Sequence, residues 1–139
     1  MEVRTKVGVS PIETEQILTN CRLAIQSGQL SLGVNTERIE AMWPQEGGER
    51  NAVVVASGTA GLELIWSVFA SCRTVFVPEM TVPMVSDAPR IIGSNVVKLD
   101  VDDHLCMNLE LLDKRLSEMS AAELHHVGVC YVLTGGLCH

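Results

Sequence analysis

The stretch NAVVVASGTAGLEL, Asn51 to Leu64, decides the fold. Its opening run, residues 52–56, is short, uninterrupted and rich in Val. That texture suits a strand buried on both faces of a parallel sheet, where no polar residue alternates with the apolar ones. Ser57, Gly58 and Thr59 then make a tight turn, and an apolar periodic segment over residues 59–70 reads as a helix.

The start of that helix is where chemistry enters. The first N–H groups of a helix have no partner within it, and the peptide dipoles add partial positive charge there. A small turn containing Gly58 lets an anion approach those donors, and a hydroxyl at Ser57 or Thr59 adds another. The same residues equally describe an ordinary N-cap that needs no ligand. Both readings stand on this segment alone. The commoner nucleotide loops are excluded, because neither GxxxxGK[ST] nor GxGxxG occurs.

Outward from this stretch, short apolar runs alternate with helical segments. Further strands are expected over residues 74–77, 95–99 and 127–133, and helices over 83–92 and 109–119. Strand and helix in that alternation predict parallel βαβ units with right-handed crossovers, an α/β fold with helices over both faces of a mostly parallel sheet. Pro89 fits the helix over 83–92 badly, since a proline inside a helix removes a hydrogen bond and crowds the preceding turn. A kink or a later start is expected there.

Upstream, residues 1–10 carry no clear period. Pro11, Glu13 and Glu15 suit a first helical turn, and Ile17, Leu18, Cys21 and Ile25 recur at helical spacing. Gly28 ends that helix, residues 27–33 form a loop, and a second helix is expected over 35–43. Pro44 to Gly48 then read as a polar turn. We therefore divide the chain into an N-terminal arm, helix and loop over 1–34 and an incomplete α/β domain over 35–139.

Two more segments carry candidate site residues. In VFVPEMTVP, Val75 to Pro83, a strand ends at Pro78 and a helix opens near Pro83, with Thr81 placed to cap it. The loop lies at the carboxyl end of a strand, where open α/β sheets bind ligands. In VVKLDVDDHLCMNLELL, Val96 to Leu112, Asp100, Asp102 and Asp103 lack the spacing of a calcium loop and read as a solvated turn before a helix. His125 and His126 read as loop residues, and Cys130 as part of a strand core.

Composition removes several classes of function. Hydrophobic residues are 47% and charged residues 19% of the 139, so a real core is affordable. The net charge of -7, with ten scattered basic residues, argues against nucleic acid and anionic membranes. No apolar run reaches membrane-spanning length. Five cysteines without a CxxC pair, and no apolar leader, predict reduced thiols and a cytoplasmic location. Cys138 and His139 lack the further ligands that zinc requires, so no metal is expected.

Taken in order, these segments resemble the DegT/DnrJ/EryC/StrS group, sugar-aminotransferase-type enzymes of pyridoxal-phosphate fold type I. SGQLSLG (Ser27–Gly33) resembles the group's opening loop, and TERIEAM its next helix. VASGTAGLEL resembles the SGTxAL phosphate loop. VFVPEMTVPMVSDAPRIIGSNVVKLDVD resembles the VPxxTxxA…GAxPVxxDVD stretch, and MNLELLDKRL and VGVCYVLTGG resemble the helix and strand that follow. The resemblance covers roughly residues 25–137.

The resemblance implies the N-terminal part of the major domain of such an enzyme, a partial three-layer sandwich. It implies pyridoxal 5'-phosphate as cofactor, with Ser57, Gly58, Thr59 and Ala60 at its phosphate and Thr81 and Val82 at its ring. Group members often place an aromatic where Val82 stands, and losing it weakens stacking. The resemblance also implies amino transfer to a nucleotide-linked keto sugar. The group's pyridine-pairing aspartate and Schiff-base lysine fall beyond this stretch. Lys6, Lys98 and Lys114 stand outside any lysine motif of the group. We therefore expect a truncated or split enzyme, inactive alone, that associates with itself or with a complementary chain. The alternative is a non-catalytic module binding a phosphate-bearing ligand or a partner.

Overall fold

Residues Pro11–Ser27 form α1 because both ends are chemically closed. At the start, the Ser10 hydroxyl accepts the Glu13 N–H at 3.2 Å, while the Glu13 carboxylate accepts the Ser10 N–H at 2.8 Å. At the end, Gly28 turns left-handed at φ +71° and donates to the Ile25 carbonyl. The computed structural model describes residues 8–42 and 52–133. They fall into two units, Met1–Val54 and Val55–His139. The first holds α1 and α2 (Val34–Met42), neither of which buries a residue. The turn expected over 44–48 lies outside the described residues.

The second unit holds α3 (Gly58–Val68), β1 (Thr74–Pro78), α4 (Pro83–Ile91), β2 (Asn95–Leu99), α5 (Leu109–Ser117), α6 (Ala121–Leu124) and β3 (Val127–Val129). The strands pair in parallel in the order β2-β1-β3. Thr74 stands opposite both Asn95 and Val127. Central β1 is buried on both faces. Val75 and Val77 join Trp66, Val85 and Ala88 under α3 and α4. Phe76 points the other way and joins Leu99 and Met107, with Leu112 and Leu116 of α5 packed against them. Helices thus cover both faces of the sheet, which is the three-layer α/β arrangement expected.

Several local expectations are corrected. Residues 52–56 form no strand, and Val53, Val54 and Val55 are exposed. Their composition suits a sheet, but among the described residues no strand pairs with them. Residues 130–133 continue past β3 without strand pairing, although Cys130 still donates its N–H to Phe76 at 2.9 Å. Pro89 neither delays α4 nor ends it. It lies two residues before the last helical one, fully buried, and its carbonyl accepts the Ser94 N–H at 3.0 Å. Helix α6 was not anticipated. It is one turn long and rests on a second capping box, Ser120 with Glu123.

The two boxes lead to a pH prediction. The Ser side chain first, and its backbone N–H second, hold Glu13 and Glu123 below the ordinary carboxylate range. A carboxylate lowered in the folded state adds stability above its unfolded pKa and loses it as pH falls through the folded pKa. Acidification into and below the ordinary carboxylate range is therefore expected to fray α1 and α6. Far-ultraviolet circular dichroism of Glu13→Gln and Glu123→Gln checks this. Both should lose less helix on acidification than the parent, and an unchanged acid profile would contradict the capping account.

Candidate functional site

Ser57 sits extended before α3 and caps it, its hydroxyl accepting the Ala60 N–H at 3.1 Å and its carbonyl the Gly61 N–H at 3.1 Å. The N–H groups of Gly58 and Thr59 have no partner among the described residues. Ser57 and Gly58 are exposed, and Thr59 and Ala60 are half-buried. A Cβ added at Gly58 would meet nothing within 4 Å, whereas at Gly61 it would touch Val55 at 3.4 Å. The first turn carries no acidic residue. Two free donors, an open approach and an uncompensated helix dipole together suit an anion. The cap and the cradle are therefore not exclusive: Ser57 occupies the Ala60 donor and leaves the two before it.

Chain direction brings the second candidate segment to the same end of the sheet. α3 leads through residues 69–73 into the start of β1, so its own N-terminus lies toward the carboxyl ends of the strands. The N-terminus of α4 follows the carboxyl end of β1 directly. Both helices pack on the same sheet face around Val75 and Val77. Thr81 is half-buried, but it does not cap α4. Val82 holds the cap position, makes no side-chain hydrogen bond, and is 64% exposed. Pro83 explains the exchange. Its fixed φ suits the first helical position, which puts the cap position on Val82, one residue after Thr81. Among the described residues no hydrogen bond joins Thr81 or Val82 to Ser57–Ala60.

The lysines behave as structural residues. Lys98 is ion-paired with Glu79 at 3.1 Å and its side chain is 38% exposed. The Glu79 N–H meanwhile donates to Leu99, at 2.7 Å. An exposed, paired ammonium is the reverse of a desolvated nucleophile. Lys114 is exposed in the last turn of α5, where its charge complements the dipole. Lys6 lies outside the described residues.

The acidic cluster is a turn, as expected. The Asp102 carboxylate accepts the N–H groups of His104 at 2.9 Å and Cys106 at 3.0 Å, while Val101 and Met107 form an antiparallel bridge. Leu105 takes the left-handed conformation, at φ +62°. Asn108 then caps α5 through Glu110 and Leu111. No group of three or more His, Cys, Asp or Glu residues able to hold a metal occurs among the described residues, and Cys138 and His139 lie outside them. Cys21, Cys72, Cys106 and Cys130 are free thiols, and burial pushes the Cys130 thiol up. His126 is a strut, its Nδ1 3.0 Å from the Ser71 carbonyl. No helix among the described residues is long and apolar enough to cross a membrane.

Residues 11–131 match the DegT/DnrJ/EryC1/StrS aminotransferase family. No curated protein matches the sequence. Among solved structures, the chain is similar to a Streptococcus pneumoniae protein described as a sugar aminotransferase. Against its PMP form the TM-score is 0.75 at 23% identity, over 94% of this chain and 32% of that one. Against its PLP form the TM-score is 0.67 at 25% identity, over 77% and 27%. A DegT DnrJ EryC1 StrS aminotransferase from Brucella abortus gives 0.63 at 20% identity, over 89% and 35%. The chain thus spans about a third of the length of the structures it matches.

Proposed function

The chain belongs to the DegT/DnrJ/EryC1/StrS aminotransferase family, and on that premise we propose that it is the portion of a pyridoxal-phosphate-dependent aminotransferase that grips the cofactor phosphate. The observation that carries this reading is the pair of N–H groups at Gly58 and Thr59, without a partner among the described residues, at the start of α3. They donate to the phosphate, the Thr59 hydroxyl adds a third donor, and Ser57 and Ala60 hold the turn in place. Thr81 and Val82, at the same end of the sheet, border the ring. Val82 offers apolar contact without the stacking area of an aromatic.

Bound pyridoxal phosphate supplies an electron sink, and the protein must add an activated lysine and a partner for the pyridine nitrogen. Lys98, held by Glu79, and exposed Lys114 do not fit the lysine's part. In this reading a complementary stretch of polypeptide brings both groups. The assembled enzyme moves an amino group to a nucleotide-linked keto sugar in the cytoplasm. The ion-paired Lys98 equally favours a second reading, a module that binds the phosphate without catalysing.

Borohydride reduction of the chain mixed with pyridoxal phosphate tests the assignment of the lysines. Mass spectrometry is expected to find no pyridoxyl group on Lys98 or Lys114 above the level that other exposed lysines of a control protein acquire. Stoichiometric labelling of Lys98 would overturn it.

A further inference from the structure

The stretch Glu79 to Val82 joins the carboxyl end of β1 to α4. Most of it is lightly tethered. Among the described residues the N–H groups of Met80, Thr81 and Val82 find no acceptor, and Met80 and Val82 are exposed. The stretch is fixed at its two ends instead. Downstream, the Val82 carbonyl accepts the Val85 N–H at 3.0 Å as α4 begins. Upstream, the anchor is Glu79.

Glu79 is held twice, both times by β2. Its N–H donates to the Leu99 carbonyl at 2.7 Å, and its carboxylate takes the Lys98 ammonium at 3.1 Å. Register explains the second bond. Lys98 stands opposite Val77, and opposite residues of paired strands share a face of the sheet. Val77 faces α3 and α4, and alternation along the chain returns Glu79 to that side. The lysine stem therefore rises on the face that carries α3 and α4. It meets the Glu79 carboxylate at the carboxyl end of the sheet, the end where α3 begins.

We propose that Lys98 is a positioning residue for the cofactor ring: by clamping Glu79 it sets where Met80, Thr81 and Val82 stand beside the pyridine. The proposal rests on the reading of Thr81 and Val82 as the border of that ring. An exposed ion pair adds little to the stability of a whole domain. It counts most in a stretch with few other anchors, because loosening such a stretch adds conformations that binding must then remove. The cradle is independent of the clamp, since its donors belong to α3.

Titration of the whole chain with pyridoxamine 5'-phosphate and with inorganic phosphate, read at the Gly58 and Thr59 amides, separates ring from phosphate. The pyridoxamine compound has no aldehyde for a lysine to trap. Lys98→Met and Glu79→Gln are each expected to weaken its binding roughly two- to fivefold and to leave inorganic phosphate unmoved. Lys98→Arg, which keeps the pair, should bind like the parent. A long-range charge effect has another signature: losing a cation and losing an anion move an anionic ligand in opposite directions. Opposite shifts, a matching loss of inorganic phosphate, a weakened Lys98→Arg, or variants no different from a parent that binds both ligands overturn the proposal and leave the cradle standing. A parent that binds neither ligand sinks the cradle, and the proposal with it.

Discussion

Trp66→Ala is expected to cost about 3–5 kcal/mol, a large share of the roughly 5–15 kcal/mol that holds a whole domain together. The indole is 5% exposed and joins α3 to Val75, Val77, Val85 and Ala88. No other aromatic lies in that cluster. Removing it leaves a cavity that a rigid sheet face cannot close. Trp66→Phe behaves differently. The buried Nε1–H has no acceptor among the described residues, and an unpaired buried donor costs about 1–3 kcal/mol. Phenylalanine deletes that donor along with part of the volume, so its net cost should be well below that of alanine. Urea denaturation of the two variants, followed by circular dichroism, checks the order. Equal losses would show that the packing of the ring is not what holds α3 on the sheet.

The second large effect is at Gly128. A Cβ there would stand 2.9 Å from Cζ3 and 3.1 Å from Cη2 of Trp66, and 3.3 Å from the Cys72 Sγ. Trp66 is buried and packed with Val75, Val77, Val85 and Ala88, so any shift of the ring disturbs that core. Gly128→Ala is therefore expected to destabilise by about 1–3 kcal/mol through overpacking. The entropy that alanine removes from the unfolded chain, about 0.4–1 kcal/mol, offsets only part of this. The clash is with the six-membered half of the indole, which phenylalanine does not place there. The double variant Gly128→Ala/Trp66→Phe should thus lose less than the sum of its parts. Additive losses in a double-mutant cycle would contradict the contact.

These two residues also show what the sequence could and could not reveal. β1 was legible because an unbroken apolar run means burial on both faces, and both it and the shorter apolar run of β2, which Lys98 interrupts, found partners. Residues 52–56 have the same texture and no strand partner among the described residues, so composition alone predicted a strand that pairing there did not supply. Pairing is a property of distant segments. The contact of Trp66 with Gly128 spans α3 to β3 and leaves no local mark, since a glycine inside a strand reads equally as a bulge. Helix α6 was missed because one turn has no period to detect, although Ser120 and Glu123 carried the capping-box spacing. Thr81 was misplaced by one residue because Pro83 moved the cap position onto Val82.

The candidate site was legible where it is local. Ser57, Gly58 and Thr59 announced both a cap and a cradle, and the geometry supports the two together. Its other half was not legible. The grouping of Ser57–Ala60 with Thr81 and Val82 at one end of the sheet follows from the direction of α3, which depends on how the chain turns at residues 69–73.

The central claim, that α3 presents a phosphate cradle, is tested most directly at two backbone amides. In a ¹⁵N-labelled sample titrated with pyridoxal phosphate, the Gly58 and Thr59 resonances are expected to shift and saturate. Pyridoxal without its phosphate should leave them unmoved. Shifts confined to other residues, or equal shifts with pyridoxal, would contradict the account.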